Sequence, residues 1–355
     1  IEKQCRDLLT FFGVKNARLS VNDSGALPFV IAARVEAAVR ALTGKSASFV
    51  PEMIAENNYA SSRDRFRFSR LYLPGNNPGM FLNAGLHSPD GIILDLEDSV
   101  APDKKDEARI LVRNALCSVN FYGAERMVRI NQGERGLTDL EYVIPYNVHL
   151  VLVPKCESAE TLRTVDDKIK EIKKREGQPE IVFLMPIIES AAGVERAYEI
   201  ATATKSVVAL AIGLEDYTAD LGVQRTKEGK ESLYARNRIV VASKAAGIQP
   251  IDSVFSDVGD MEGLLENVLS SKAMGFEGMG CIHPRQIAVI RQGFSPAADE
   301  IEKARKIVLA YRDALDKGLG VVALGSKMID PPVVARAEKT INLAVRLGLL
   351  SDQWS

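Results

Sequence analysis

From Ser69 onward, short apolar runs that end in polar residues alternate with longer stretches whose apolar positions recur every three to four residues. The first pattern predicts strands and the second predicts amphipathic helices. Strands are expected at 70–73, 91–96, 127–130, 149–153, 181–188, 207–214, 252–256 and 278–282. Helices are expected after them at 78–87, 104–117, 137–145, 159–175, 191–204, 231–246, 261–274 and 285–292. Eight successive strand–helix pairs over roughly 225 residues fit a (β/α)8 barrel, whereas a doubly wound sheet more commonly has five to seven strands. The predicted fold class is therefore α/β, a TIM barrel spanning 67–296.

Both ends of the chain depart from this alternation. Residues 1–50 read as a small αβ segment, with a helix at 5–12, a strand at 17–21 and a helix at 27–42, too short to make a comfortable domain alone. Residues 51–66 lose periodicity and gain Ser, Asn and Pro, as a linker does. After the barrel, 297–355 reads as a helical lid on a hinge. It has an amphipathic helix at 298–316, a turn with Gly318, Gly320 and Gly325, then Pro331 and Pro332 ahead of a helix at 333–349.

Composition narrows the class without naming a chemistry. The 355 residues are 46% hydrophobic and 26% charged, with 26 Gly and 15 Pro, which excludes collagen-like, mucin-like and disordered chains. The formal charge of −2 supplies no global field for nucleic acid or an anionic membrane, and no apolar run is long enough for a membrane helix. Any anionic ligand must be met by local charge. Cys5, Cys117, Cys156 and Cys281 are widely separated and show no ligand spacing, so free thiols in a reducing, cytoplasmic setting are expected. The chain starts at Ile1 with no basic-then-apolar leader, and it is expected to begin part-way into a longer product.

Barrel enzymes carry their reacting groups at the C-terminal ends of the strands. Those positions hold Asp95, Glu97 and Asp98 after the second strand, Arg129 and Asn131 after the third, Lys155 after the fourth, and Glu189 after the fifth. Glu215 and Asp216 follow the sixth, Asp257 the seventh and His283 the eighth. Any one of these acids or bases is explained equally well as a helix cap or a rim ion pair; helix caps arising independently do not predict acids at adjacent strands beside an arginine. Two carboxylates, Glu189 and Asp216, with positions left open for water and a chelating substrate, suit Mg2+ better than zinc. Arg129 would hold a carboxylate or stabilise an enolate, a combination suited to carbon–carbon cleavage beside carbonyl groups. Glu97 and Asp98 would hydrogen-bond metal-bound water or cap the helix that follows Pro102. In LYLPGNNPG the turn after the first strand would approach a phosphate or thioester, with Arg70 and Arg67 nearby for charge. Neither a dinucleotide glycine fingerprint nor a P-loop occurs.

Through RLYLPGNNPGM, GIILDLEDSVAPDKKDEAR, VRIN, VPK, IESAAGV, GLEDYTADLG, IHPRQI and KMIDPPVVARA, the chain from Arg67 to about Leu347 resembles the citrate lyase β-subunit family. That family lies within the HpcH/HpaI aldolase group and includes malyl-CoA and citramalyl-CoA lyases. The resemblance implies a (β/α)8 barrel, assembled as a trimer or hexamer, that binds Mg2+ and cleaves a β-hydroxy acyl thioester to a keto acid and a shorter acyl thioester. It implies Glu189 and Asp216 as metal ligands, Arg129 as the substrate and enolate contact, and Arg70 as a contact to the thioester carrier or substrate. Asp330, in KMIDPPVV, resembles the family's lid aspartate, which acts in a neighbouring subunit's site and exchanges the proton on the thioester α-carbon.

IEKQCRDLL and VNDSGALPFVIAARVEAAVRAL resemble the latter part of the citrate lyase acyl carrier subunit, whose upstream serine bears a coenzyme A-derived arm. That serine's segment is not part of the match, so Ser20 and Ser24 are not promoted to attachment sites. A fused carrier favours a carrier-linked citryl thioester over free CoA esters, and partners among other citrate lyase-type subunits; a carrier remnant serving only structure or assembly is the other reading. Two further alternatives stand: a magnesium aldolase acting on free keto acids without a thioester, and a non-catalytic assembly or carrier module.

Overall fold

The eight apolar runs become eight parallel strands in the computed structural model, which describes residues 1–318, 320–324 and 327–354. They are β1 (Ser69–Pro74), β2 (Gly91–Asp95), β3 (Glu125–Arg129), β4 (Leu150–Val153), β5 (Phe183–Ile188), β6 (Ala209–Ile212), β7 (Gln249–Ile251) and β8 (Met279–Cys281). Each pairs in parallel with the next through β7, and β1 pairs with β8. The ring closes between β7 and β8 through the bridge Asp252↔Met279 and through the bonds Asp252 N–H to Gly278 O (2.8 Å) and Glu277 N–H to Pro250 O (2.9 Å). Inward-facing Ile93, Met127, Leu152, Met185, Ala211 and Ile251 fill the barrel as one apolar core.

The seventh strand lies three residues before its expected place at 252–256, because Pro250 reads as a strand breaker but falls where its missing N–H costs least. Gln249 N–H donates to Val208 O, just ahead of β6, so the next residue's polar groups face β8, where the ladder is only a bridge.

Helices α1 (Glu2–Phe11) and α2 (Pro28–Thr43) precede the barrel, and α3 (Lys105–Ser118), α4 (Gly133–Val143) and α5 (Ala159–Glu176) follow β2, β3 and β4. After β5 the expected single helix at 191–204 is two short ones, α6 (Ala191–Glu195) and α7 (Ala197–Ala201). After β6 comes α8 (Leu214–Asp220), where strand was expected to continue to 214, then α9 (Leu233–Ala246), α10 (Met261–Met274) and α11 (Arg285–Phe294). The expected helix at 78–87 is only two 3-10 turns, Pro78–Met80 and Ala84–His87; Pro78, Gly79 and Gly85 deny it an α-helical nucleus. The expected strand at 17–21 is absent. Arg18, Leu19 and Val21 are exposed, with no sheet edge to receive them.

The chain divides into two units, Ile1–Ile290 and Arg291–Ser355. In the first, α1 and α2 share a core of Cys5, Leu8, Phe12, Ile31, Val35 and Val39. Glu36 on α2 is fully buried and takes two bonds from Arg113 on α3, at 3.0 and 2.7 Å, while Asn114 Nδ2 donates to Phe29 O. The second unit holds α12 (Ala298–Asp316), the antiparallel pair β9 (Val322–Leu324) and β10 (Lys327–Ile329), and α13 (Pro331–Arg346). Its core joins Val308, Ile329, Val334, Ala337 and Ile341. Gly318 has φ 75°, as its turn requires, and Gly325 lies outside the described residues.

Candidate active site

The register of β2 against β3 makes Asp95 and Arg129 direct neighbours at the C-terminal ends of their strands. Arg129 Nε and Nη2 donate to Asp95 Oδ1 and Oδ2 at 2.6 and 2.7 Å, and its Nη1 lies 3.1 Å from Glu97 Oε2. The guanidinium also stands over the Tyr72 ring, 5.4 Å from its centroid. Burial works against the charge on each partner, but the bidentate pair outweighs it, raising the Arg129 pKa and lowering that of Asp95. A guanidinium has five N–H groups, so two remain for a substrate oxygen. Asp95, assigned no role from sequence, is the group that aims the arginine; only the strand register reveals it.

Glu189 follows β5 and is 6% exposed. Its Oε2 accepts the Lys155 backbone N–H at 2.7 Å, and no cationic side chain among the described residues pairs with it. Gly213 makes its position possible: a Cβ there would meet Glu189 Oε1 at 2.6 Å. Burial, reinforced by the charge of Asp216, pushes the Glu189 carboxyl up to about 7 against the pull of that N–H. Asp216 sits in the first turn of α8 rather than at a strand end, and its side chain is 41% exposed.

Lys155 links the acids. Its backbone has φ 46°, an uncommon conformation for a non-glycine residue, which turns its N–H onto Glu189. Its Nζ lies 3.4 Å from Asp216 Oδ1, 3.5 Å from Asp98 Oδ2 and 3.6 Å from Glu97 Oε1. Glu97 is nearly buried, and Gln132 Nε2 donates to it at 3.0 Å. Neither Glu97 nor Asp98 caps α3 by side chain; the backbone oxygens of Leu96 and Glu97 accept from Lys105 Nζ.

Arg70, Tyr72, Arg129, Glu189 and Asp216 line one cavity of about 600 Å3 at the C-terminal end of the barrel, with His87 and His283 also on its wall. Arg67, expected beside Arg70 in the cavity, is instead fully buried just ahead of β1 and does not line it; it pairs with Glu125 at 2.7 Å and bonds to Gln249 Oε1. Asp257 accepts the N–H groups of its own turn, and Glu215 pairs with Arg225 at 2.7 Å. Asp330 belongs to the second unit, where it caps α13 by accepting the Val333 N–H at 3.1 Å.

Among the described residues no three His, Cys, Asp or Glu side chains converge as a metal cluster. The oxygens of Glu189 and Asp216 still fit a hard divalent ion that keeps water or substrate as its other ligands, and the buried, unpaired charge of Glu189 gives such an ion a reason to bind.

Fold and cavity define a (β/α)8-barrel enzyme with an acid-rich mouth suited to a divalent cation and an anionic substrate. The family model described as HpcH/HpaI aldolase/citrate lyase matches residues 69–284, and the chain belongs to that family; it is a carbon–carbon lyase. A second model, described as malonate decarboxylase delta subunit, matches residues 1–42. Citrate lyase subunit beta of Haemophilus influenzae is 40% identical over 79% of this chain and 97% of its own length. Mitochondrial citramalyl-CoA lyase of Homo sapiens is 33% identical over 88% of this chain and 96% of its own. A crystal structure of protein CitE from Mycobacterium tuberculosis, in complex with magnesium, acetoacetate and coenzyme A, is 31% identical and covers 80% of this chain and 99% of its own, with a TM-score of 0.66.

Proposed function

We propose that this chain is a Mg2+-dependent lyase that cleaves a β-hydroxy acyl thioester, carried on coenzyme A or on an acyl carrier, into a keto acid and a shorter acyl thioester. The observation that carries the reading is Glu189, a buried carboxylate without a cationic partner among the described residues, lining one cavity with Asp216 and Arg129. Glu189 and Asp216 would hold the ion, which when bound supplies Lewis-acid polarisation of the substrate's hydroxyl or keto oxygen. Arg129, locked by Asp95 and Glu97, presents its two spare N–H groups to the thioester oxygen as negative charge develops there. Glu97 and Asp98 lie beside Lys155, which also reaches Asp216, and would accept bonds from water at the ion.

Asp330 of a second copy is proposed to protonate the α-carbon of the departing thioester enolate, in a homo-oligomer of trimeric or hexameric form. The carrier-like match at 1–42 and the coenzyme A in the mycobacterial structure support a thioester over a free acid. Four buried, unpaired cysteines support work in the cytoplasm, with other citrate lyase-type subunits as further partners. The test is a titration with Mn2+, as a paramagnetic stand-in for Mg2+, followed by EPR. One ion should bind per chain, at least tenfold more weakly in a folded Glu189→Gln or Asp216→Asn variant. Unchanged affinity in both variants would remove the metal from this site.

A further inference from the structure

Three cationic side chains lie in or beside the cavity, Arg70 and Arg129 on its wall and Lys155 next to Asp216, and they differ in what answers their charge. Arg129 has Asp95 and Glu97, and Lys155 has Glu97, Asp98 and Asp216. Arg70 is 1% exposed and has no carboxylate within ion-pairing distance among the described residues. Its Nη1 donates to the Met185 sulfur at 3.0 Å, a weak acceptor, and its Nε is buried with no hydrogen-bond partner among the described residues. A guanidinium stays charged, and an unpaired buried charge costs several kcal/mol, so this arrangement persists against stability.

The surroundings are built to leave that charge open. Arg70 is the second residue of β1 and points into the barrel in the same row as Tyr72, since residues two apart on a strand share a face. Its direct neighbours on both flanking strands are glycines, Gly91 on β2 and Gly280 on β8, so no side chain from either covers the guanidinium. Tyr72, between Arg70 and Arg129 in sequence order of the inward groups, adds a polar hydroxyl to the same cavity. A buried guanidinium left without an acid on the wall of the cavity is a receptor for a small anion, and a carboxylate matches its fork.

Taking the lyase reading above as given, we propose that Arg70 is a specificity-determining residue that binds a second carboxylate on the keto-acid half of the substrate. One carboxylate of that half goes to the metal side of the cavity with the adjacent oxygen. The other goes to Arg70. The substrate class is then a β-hydroxy acyl thioester whose acid product is a dicarboxylate of the oxaloacetate type. A substrate that places hydrogen or methyl there would leave the guanidinium desolvated and unpaired, and a site built to bond a polar group discriminates strongly against analogues that lack it.

The test is isothermal titration calorimetry of the full chain with oxaloacetate and with pyruvate, each with and without Mg2+, alongside Arg70→Met and Arg70→Lys and their melting temperatures. The wild type should bind oxaloacetate at least about tenfold more tightly than pyruvate. Arg70→Met should bring the two within about twofold, leave pyruvate binding unchanged and melt no lower than wild type, because it removes an unpaired charge; Arg70→Lys should keep part of the preference. A preference for oxaloacetate that survives in either folded variant at full strength, or its absence in the wild type while pyruvate binds with Mg2+, overturns the role of Arg70 and leaves the lyase reading intact. Failure of both acids to bind with Mg2+ overturns the lyase reading and this assignment with it.

Discussion

Glu189 and Arg70 are a complementary pair of unanswered charges, one carboxylate and one guanidinium, both nearly buried and both on the wall of one cavity. Folding alone does not favour leaving either group unpaired, and such groups mark sites where ligands complete the charge balance. The Glu189 position depends on a contact that can be removed without altering any polar group. Gly213→Ala would place a methyl 2.6 Å from Glu189 Oε1, so the carboxylate must swing away. Its φ of −110° is open to alanine, so the backbone should hold. The expected outcome is a folded protein whose Mn2+ affinity falls at least tenfold, read by EPR; wild-type affinity would show that the metal does not use Glu189 in this position.

At the scale of elements, the N-terminal helices are fastened to the barrel by charge as well as by apolar packing. Glu36 accepts from Arg113, from Arg40 at 2.9 Å and from the Phe49 N–H at 2.9 Å, and both Glu36 and Arg113 are nearly inaccessible. Glu36→Ala leaves a buried guanidinium without its acid, a change that costs roughly 3–5 kcal/mol. Urea unfolding should show that loss, and limited proteolysis should cut first within 44–66; a loss under about 1 kcal/mol with no new cut would contradict the fastening. A second fastening sits at the barrel's N-terminal end. His149 Nδ1 accepts the Arg126 N–H at 3.1 Å, which leaves the proton on Nε2 to donate to Tyr59 O at 2.8 Å. Burial, aided by the Arg126 charge, pulls this imidazole down to about 3.

The sign of the resulting pH dependence follows from which state binds the extra proton. Between about pH 6.5 and pH 3 the unfolded chain protonates His149 and the folded one does not, so acid favours unfolding, by about 1.4 kcal/mol per unit. Denaturation midpoints should fall as pH drops through that window, and the slope should flatten in a His149→Gln variant. An equal slope in both would place the acid sensitivity elsewhere.

For the whole molecule, the alternation of apolar runs and amphipathic stretches was enough to read the barrel, because parallel strands buried on both faces need continuous apolar sequence. Glu189, Asp216 and Arg129 were legible as candidates because strand ends are where a barrel exposes polar groups. What sequence order alone conceals is lateral pairing. Asp95 meets Arg129 only through the β2–β3 register, and the Lys155 N–H meets Glu189 where the lysine backbone is left-handed. Arg67 and Arg70, three positions apart, meet opposite fates: Arg67, ahead of β1, is sealed by Glu125, while Arg70, on β1, is left open. Local punctuation misled in both directions: Pro250 sits inside a strand, while 78–87 carries helical spacing but forms only 3-10 turns.

The account stands most directly on whether this chain breaks a carbon–carbon bond in a thioester with metal present. The measurement is keto acid release from citryl-CoA, malyl-CoA and citramalyl-CoA, with Mg2+ and with EDTA, for the wild type and Glu189→Gln. The account predicts Mg2+-dependent release that favours citryl-CoA, the ester with the second carboxylate, and loss of at least 100-fold in Glu189→Gln, on the order of 3 kcal/mol of transition-state stabilisation. Release that is equal with EDTA, or that persists in Glu189→Gln, would contradict it.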